Sequence, residues 1–206
     1  EDGQLQLSSN NLNAKGADII NDGNGSTLVQ TKNNVNLTAL SVGFDEKMGA
    51  GNHYRHEKVE EAVVSQVKGK GDVTLTAKNL RAEGAQLESE AKLMAIAEND
   101  LVLNGAKESR DFEEFHKTKS GSLARTTKTS LDQQHSVTQV GTQVSGKEVV
   151  LSAGHDVKAK GIQAIAEDNL HIQAGHDVDI AADTNHFKNK RVETKKTSGV
   201  FTGGGI

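Results

Sequence analysis

Apolar residues in this chain come in short alternating runs. DVTLTA at 72–77, EVVLSA at 148–153 and NLHIQA at 169–174 place an apolar side chain at every second position. Val73 with Leu75, Val149 with Leu151, and Leu170 with Ile172 therefore share one face of an extended strand, with polar neighbours on the other. Asn, Asp, Gly and Lys separate the runs at turn-like positions. The roughly 10 to 15 residue helical pattern of a crossover unit is missing between them, so βαβ units are not expected.

The runs repeat. LTAKNLRAEG at 75–84 aligns with IAENDLVLNG at 96–105, and LSAGHDVKAKG at 151–161 with IQAGHDVDIAA at 172–182, both at an offset of 21. LSSNNLNAKGA from Leu7 is followed 21 residues on by LVQTKNNVNLTA from Leu28, with a slip of a residue or two inside the unit. A strand this short cannot bury its apolar face alone, but stacked coils enclose a continuous narrow core. The expected fold is all-β, a parallel β-solenoid with coils of about 21 residues whose strands lie roughly 4.8 Å apart from coil to coil. Ala77, Ala82, Ala153, Ala159, Ala174 and Ala182 suit places where facing walls converge. Leucine-rich repeats fit less well because their N/C-x-L signature does not recur, and helical repeats need longer amphipathic windows.

A second level of repetition lies above the coil. Paired coils fall at about 3–44, 71–112 and 146–187, each closing on a phenylalanine, Phe44, Phe112 or Phe187, which marks the exit from the array. Polar excursions follow at about 45–70, 113–145 and 188–206. They are too long for simple turns and too regularly placed for accidental linkers. KTKSGSLARTTKTS and RVETKKTSGVF, rich in Thr, Ser, Val and Lys, favour extended β-hairpins. HEKVEEAVVSQV also admits a short helix, with Val59, Ala62, Val63 and Val67 on one face, or disorder.

Composition narrows the core. Aromatic residues make up 3% of the chain, Gly numbers 21 and Pro is absent, so small and branched aliphatic side chains must fill the interior. A net charge of -4 with both signs mixed gives no reason to expect nucleic acid as a partner. The absence of cysteine excludes disulfides and thiolate metal sites while leaving secretion open. No apolar stretch approaches the roughly 18 residues of a membrane span, and EDGQLQLSS lacks the features of a signal peptide. Both ends read as cuts inside a longer polypeptide.

The repeated GHD strings raise the question of chemistry. The repeat puts His155 and His176 at equivalent positions, and it puts Asn11, Asn34, Asn79, Asp100, Asp156 and Asp177 in one column, each followed by an apolar residue. What persists is a short polar side chain, which accepts backbone N–H bonds at a turn, so these six are assigned as coil corners. Asn should replace Asp156 or Asp177 better than Leu can. His53, His56 and Glu57 in HYRHEK lack the His-Glu-x-x-His geometry, the GGG at 203–205 has no helix or lysine after it, and Glu60–Glu61 and Glu113–Glu114 read as solvated pairs. No catalytic residue, metal ligand or cofactor is assigned, and an enzyme is not expected. A carbohydrate-degrading β-helix would need clustered acidic residues on one solenoid face, which the arrays do not supply.

AEDNLHIQAGHDVDIAADTNHF at 166–187, LSAGHDVKAKG at 151–161 and the exit KNKRVETKKTSGVF resemble the second haemagglutinin-repeat region of bacterial filamentous haemagglutinins, above all the large contact-dependent growth-inhibition toxin-delivery proteins. The resemblance covers essentially the whole chain. It implies a right-handed parallel β-helix, export by an outer-membrane transporter of the two-partner secretion type, and display on the surface of Gram-negative bacteria. It further implies that this region meets the target cell's outer membrane or a surface receptor during delivery of a C-terminal toxin. The alternative within the family is an adhesin shaft that mediates attachment or acts as a passive spacer. The fragment itself is expected to be a monomer.

Overall fold

A computed structural model describes residues 3–122 and 124–199, and its regular structure there is entirely strand. Across these residues the chain winds through six successive coils. The first holds β1 (Leu5–Lys15) and β2 (Asp18–Asn21). The second holds β3 (Thr27–Thr38), leaves through a hairpin of β4 (Leu40–Ala50) and β5 (His53–Val63), and re-enters as β6 (Ser65–Gly69). The third consists of β7 (Val73–Ala77), β8 (Asn79–Glu83) and β9 (Ala85–Ser89). The fourth runs through β10 (Lys92–Ala97) and β11 (Leu101–Asn104), leaves through β12 (Ala106–Ser120) and β13 (Ala124–Val140), and returns as the first half of β14 (Thr142–Ala153). β14 bends into the fifth coil, which adds β15 (Val157–Lys160) and the first half of β16 (Ile162–Ala174). β16 bends in turn into the sixth, which continues through β17 (Val178–Ala181) before the chain departs along β18 (His186–Gly199).

Pairing between coils is parallel and builds three walls. In the first, Leu7, Val29, Leu75, Ala95, Leu151 and Ile172 stand opposite one another in turn. In the second the column is Leu12, Val35, Leu80, Leu101, Val157 and Val178. In the third it is Ile19, Val67, Leu87, Val144 and Ala164. These inward positions are the core: Val29, Leu75, Leu101, Leu151 and Val157 are fully buried, as are Ala82 and Ala95. Burying each valine or leucine contributes roughly 1.5–3 kcal/mol, so the column of small aliphatics suffices without an aromatic core. In the sixth coil the same inward positions are exposed, with Leu170, Val178 and Ile180 at 46%, 45% and 61%.

Register is held by the walls and length differences are absorbed at the corners. Leu80 pairs with Leu101 at the expected offset of 21, but Val73 pairs with Leu93 at 20 and Leu7 with Val29 at 22. A bulge between Ser9 and Asn11 brings Asn11 opposite Asn34, which accounts for the slip seen in the first repeat.

All three excursions leave from one corner, between the second and third walls, in coils two, four and six. In coils one, three and five that corner is a glycine at positive φ: Gly16 at 55°, Gly84 at 56° and Gly161 at 63°. A Cβ there would meet the neighbouring coil's exit, 2.6 Å from Leu40 Cβ at Gly16, 2.4 Å from Ala106 Cβ at Gly84 and 2.7 Å from Asp183 Cβ at Gly161. Glycine is required twice over, by backbone conformation and by space.

The solenoid proper comprises residues 3–42, 61–108 and 138–184. The hairpins form a second unit, an antiparallel sheet in the order β18-β13-β12-β5-β4. None of its described residues is buried. The sequence places the excursions at about 45–70, 113–145 and 188–206. In the structure the chain leaves at Leu40 and Ala106 and is back in the third wall at Ser65 and Thr142, because Val67 and Val144 alternate like any other wall strand. HEKVEEAVVSQV forms β5 and β6 instead of a helix, and residues 200–206 lie outside the described residues.

Candidate functional site

Two polar features stand out in the solenoid, one at each kind of corner. At the hairpin corner, a buried hydroxyl opens each returning strand. Ser65 Oγ donates to the carbonyl of Thr38, the last residue of β3, at 2.7 Å, and accepts from the N–H of Ala17 in the coil below at 3.3 Å. Thr142 does the same after the second hairpin, donating to the Asn104 carbonyl at 2.6 Å and accepting from the Ala85 N–H at 3.1 Å. Both side chains are fully buried. The same two carbonyls also accept from the corner glycines, Gly16 N–H and Gly84 N–H. Sequence reasoning missed this pair, although SQVKG at 65–69 and TQVSG at 142–146 carry it as a recurring Ser/Thr-Gln-Val.

The other feature is the column assigned to the coil corners, at the head of the second wall. The structure stacks Asn11, Asn34 and Asn79 in register, with Asn34 Nδ2 donating to Asn11 Oδ1 at 3.1 Å and Asn79 Nδ2 to Asn34 Oδ1 at 3.0 Å. Asp100, Asp156 and Asp177 continue the column, and the ladder changes kind. Asp100 Oδ1 accepts from the backbone N–H of Asp156, and Asp156 Oδ1 from that of Asp177, both at 3.3 Å. No described residue other than glycine has positive φ, so these side chains act by laddering and by accepting N–H bonds, without a left-handed backbone.

The GHD strings sit in the acidic half of this column. Gly154 and Gly175 are fixed by close backbone approach, since a Cβ on either would lie 2.0 Å from a carbonyl of the preceding coil, Glu98 and Gly154 respectively. The rings of His155 and His176 stack, with centroids 5.0 Å apart and planes inclined by 11°. Each Nδ1 lies between two carboxylates: His155 Nδ1 is 3.3 Å from Asp100 Oδ1 and 3.2 Å from Asp156 Oδ1, and His176 Nδ1 is 3.1 Å from Asp156 Oδ1 and 3.0 Å from Asp177 Oδ2. Asp156 is buried and pairs through Oδ2 with Lys158 Nζ at 2.8 Å. The Lys158 ammonium, helped by His176 and the Asp177 N–H, holds its carboxyl down to about 2. His155, Asp156 and His176 are the group that could hold a metal ion among the described residues, with one ligand atom from each lying within 4.8 Å of the others.

Phe44, Phe112 and Phe187 do not stand at the corner where the chain leaves the walls. They lie farther along, on β4, β12 and β18 in the hairpin sheet, with Phe44 and Phe187 exposed. That sheet is held by polar pairs across its strands. Tyr54 Oη donates to Glu113 Oε1 at 2.6 Å, Gln133 Nε2 donates to Glu113 Oε2 at 2.5 Å, and His135 Nδ1 lies 2.5 Å from Asp111 Oδ1. Glu57 bridges Arg110 and Arg55, which hold its carboxyl below the usual range. His56 pairs with Asp45, Glu60 pairs with Lys58, and the GGG at 203–205 lies outside the described residues. No described helix is long and apolar enough to cross a membrane.

Comparison with known proteins gives one family and a set of related chains. The hemagglutinin repeat family model matches residues 47–128 and 123–205. The chain is 32% identical over 167 residues to the deoxyribonuclease CdiA of Dickeya dadantii, which is 79% of this chain and 5% of that protein. It is 32% identical over 123 residues to the tRNA nuclease CdiA of Yersinia mollaretii, 59% of this chain and 4% of that one. It is 28% identical over 151 residues to the 16S rRNA endonuclease CdiA of Enterobacter cloacae, 73% of this chain and again 4% of the relative. The chain thus spans a small fraction of the length of the proteins it matches. No solved structure matches it.

Proposed function

Because the chain belongs to the hemagglutinin-repeat family, we propose that it is a non-catalytic filament segment of a large secreted cell-surface exoprotein, supporting contact-dependent delivery of a C-terminal toxin across the target-cell outer membrane. One observation carries this reading. The relatives are named for cutting three different substrates, DNA, tRNA and 16S rRNA, yet all align over this same segment. A segment shared by nucleases of different specificity is the carrier and not the cutting domain.

The fold suits the role. Each coil contacts only its neighbours, so length is gained by repetition and stability by nearest-neighbour stacking. The hairpins add side chains on a sheet that the solenoid does not need for its core. Export through an outer-membrane two-partner transporter and encounter with a target-cell surface belong to the same proposal.

The test is a deletion of the paired coils and their hairpins from the full-length protein, with surface display, cell attachment and toxin entry measured separately. Loss of entry with display and attachment intact is expected. Loss of attachment alone would make the segment an adhesin shaft, and unchanged attachment and entry would leave it a spacer.

A further inference from the structure

We propose that the corner between the first and second walls, where coils five and six meet, binds one divalent transition-metal ion through His155 Nδ1, His176 Nδ1 and Asp156 Oδ1. The first ground is geometric. Zinc-type ions hold imidazole nitrogen and carboxylate oxygen at about 2.0–2.2 Å, which sets neighbouring ligand atoms on one ion roughly 3.0–3.4 Å apart. The two Nδ1 atoms stand 3.2 and 3.1 Å from Asp156 Oδ1. Both rings are more than half exposed, so each can tilt toward a shared ion.

The second ground is charge. In the amide half of the column Asn34 and Asn79 each donate to the Asn of the preceding coil, which makes a neutral ladder. In the acidic half Asp100, Asp156 and Asp177 follow one another at coil spacing, a like-charge arrangement that needs cations. Lys158 supplies one positive charge and engages Asp156 through Oδ2, leaving Oδ1 to the two imidazoles and the Asp177 N–H. With neutral imidazoles the cluster carries three carboxylates against one ammonium, and the two remaining negative charges match one divalent ion. Imidazole with carboxylate is a donor set suited to zinc, nickel, cobalt and copper, and not to calcium. The ion would clip two coils that otherwise meet through backbone bonds, apolar contacts and scattered polar pairs such as Gln173 with Ser152 and Lys160 with Asp183.

The experiment titrates the intact chain with Zn2+, reading stoichiometry by competition with a chromogenic chelator, and with Co2+, reading its absorption spectrum. One ion per chain is expected. His155→Asn, His176→Asn and Asp156→Asn should each weaken binding at least about tenfold. These variants keep the fold, because Asn99 already occupies the position equivalent to His155 and Asn79 the position equivalent to Asp156. His53 and His116 provide the control, an exposed pair in the hairpin sheet with Nδ1 atoms 3.1 Å apart. His53→Asn/His116→Asn should leave the affinity unchanged. A second measurement is independent of any variant: Zn2+ should shift the imidazole nitrogen resonances of His155 and His176 and not those of His53 and His116. Absence of a stoichiometric ion, or binding that depends on His53 and His116 instead, overturns the proposal.

Discussion

Ser65 Oγ donates to the carbonyl of Thr38 across the whole length of the first hairpin, so one buried hydroxyl ties the residue where the chain leaves the solenoid to the residue where it returns. Thr142 and Asn104 repeat the tie at the second hairpin. Ser65→Ala and Thr142→Val each leave a backbone N–H of the neighbouring coil, Ala17 or Ala85, without its acceptor. Each should cost about 1–3 kcal/mol in urea unfolding, whereas Ser65→Thr should be nearly neutral. An unchanged unfolding midpoint in both variants would show that the hydroxyls are incidental to the coil.

Gly84 separates two coils at the point where the fourth sends out its hairpin. Its φ of 56°, and the 2.4 Å that would separate an added Cβ from that of Ala106, both exclude a side chain. Gly84→Ala should therefore destabilise by about 2 kcal/mol or more, combining the left-handed penalty with a steric clash. Gly51 is the comparison, at φ 63° with open space around its Cβ position, so Gly51→Ala should carry the backbone penalty alone, about 1 kcal/mol. Equal thermal shifts in the two variants would remove packing from the account.

The period-two runs and the repeat near 21 residues were enough to read the first two walls, because an inward residue recurs wherever a coil must bury it, whereas Val67 and Val144 of the third wall fell inside the excursions. The corner column was legible for the same reason, as Asn79 and Asp156 each precede an apolar residue that enters the core. The hydroxyl ties were not. Ser65 and Thr142 are separated by coils and hairpins of unequal length, so no fixed period links them, and their role exists only once Thr38 and Asn104 are known to be the exits. The stacking of His155 on His176 followed from the same offset, but the sharing of each Nδ1 between two carboxylates and the Lys158 contact to Asp156 did not, because the period carries no side-chain direction. Phe44, Phe112 and Phe187 did recur, but as members of the hairpin strands beyond the corner.

Tyr54 and Glu113 make the hairpin sheet sensitive to acid. The phenol of Tyr54, and after it the amide of Gln133, hold the Glu113 carboxyl below its ordinary range. A folded pKa lower than the unfolded one gives stability that is fully present above the unfolded value of about 4.3 and is lost as pH falls through the lowered folded value. Tyr54 is the only tyrosine in a chain without tryptophan, so its fluorescence reports the contact directly. The emission should change below about pH 4.3, and Glu113→Gln should abolish the transition. At the alkaline end the same bond raises the phenol's pKa, so its absorbance titration should move down in the variant. An acid transition that persists in Glu113→Gln would assign it to another carboxylate.

Asn79 and Asp177 test the two chemistries of the corner column in opposite directions. Asn79 Nδ2 donates to Asn34 Oδ1, and the position also adjoins Asp100 in the next coil. Asn79→Asp removes the donor, faces a carboxylate against the Asn34 oxygen, and adds a fourth acid to the three already stacked. A cost of about 1–3 kcal/mol is expected. Asp177 is exposed at the far end of the column, where an amide oxygen can still accept and a charge is removed from the acidic run, so Asp177→Asn should be neutral or slightly stabilising. Asp156→Leu marks the limit, because leucine cannot accept from the Asp177 N–H and strands Lys158 without its partner. It should cost more than Asp156→Asn, which keeps an oxygen in place. If thermal unfolding ranks Asn79→Asp as harmless and Asp177→Asn as damaging, the column is not a hydrogen-bonded ladder but a row of independently solvated turns.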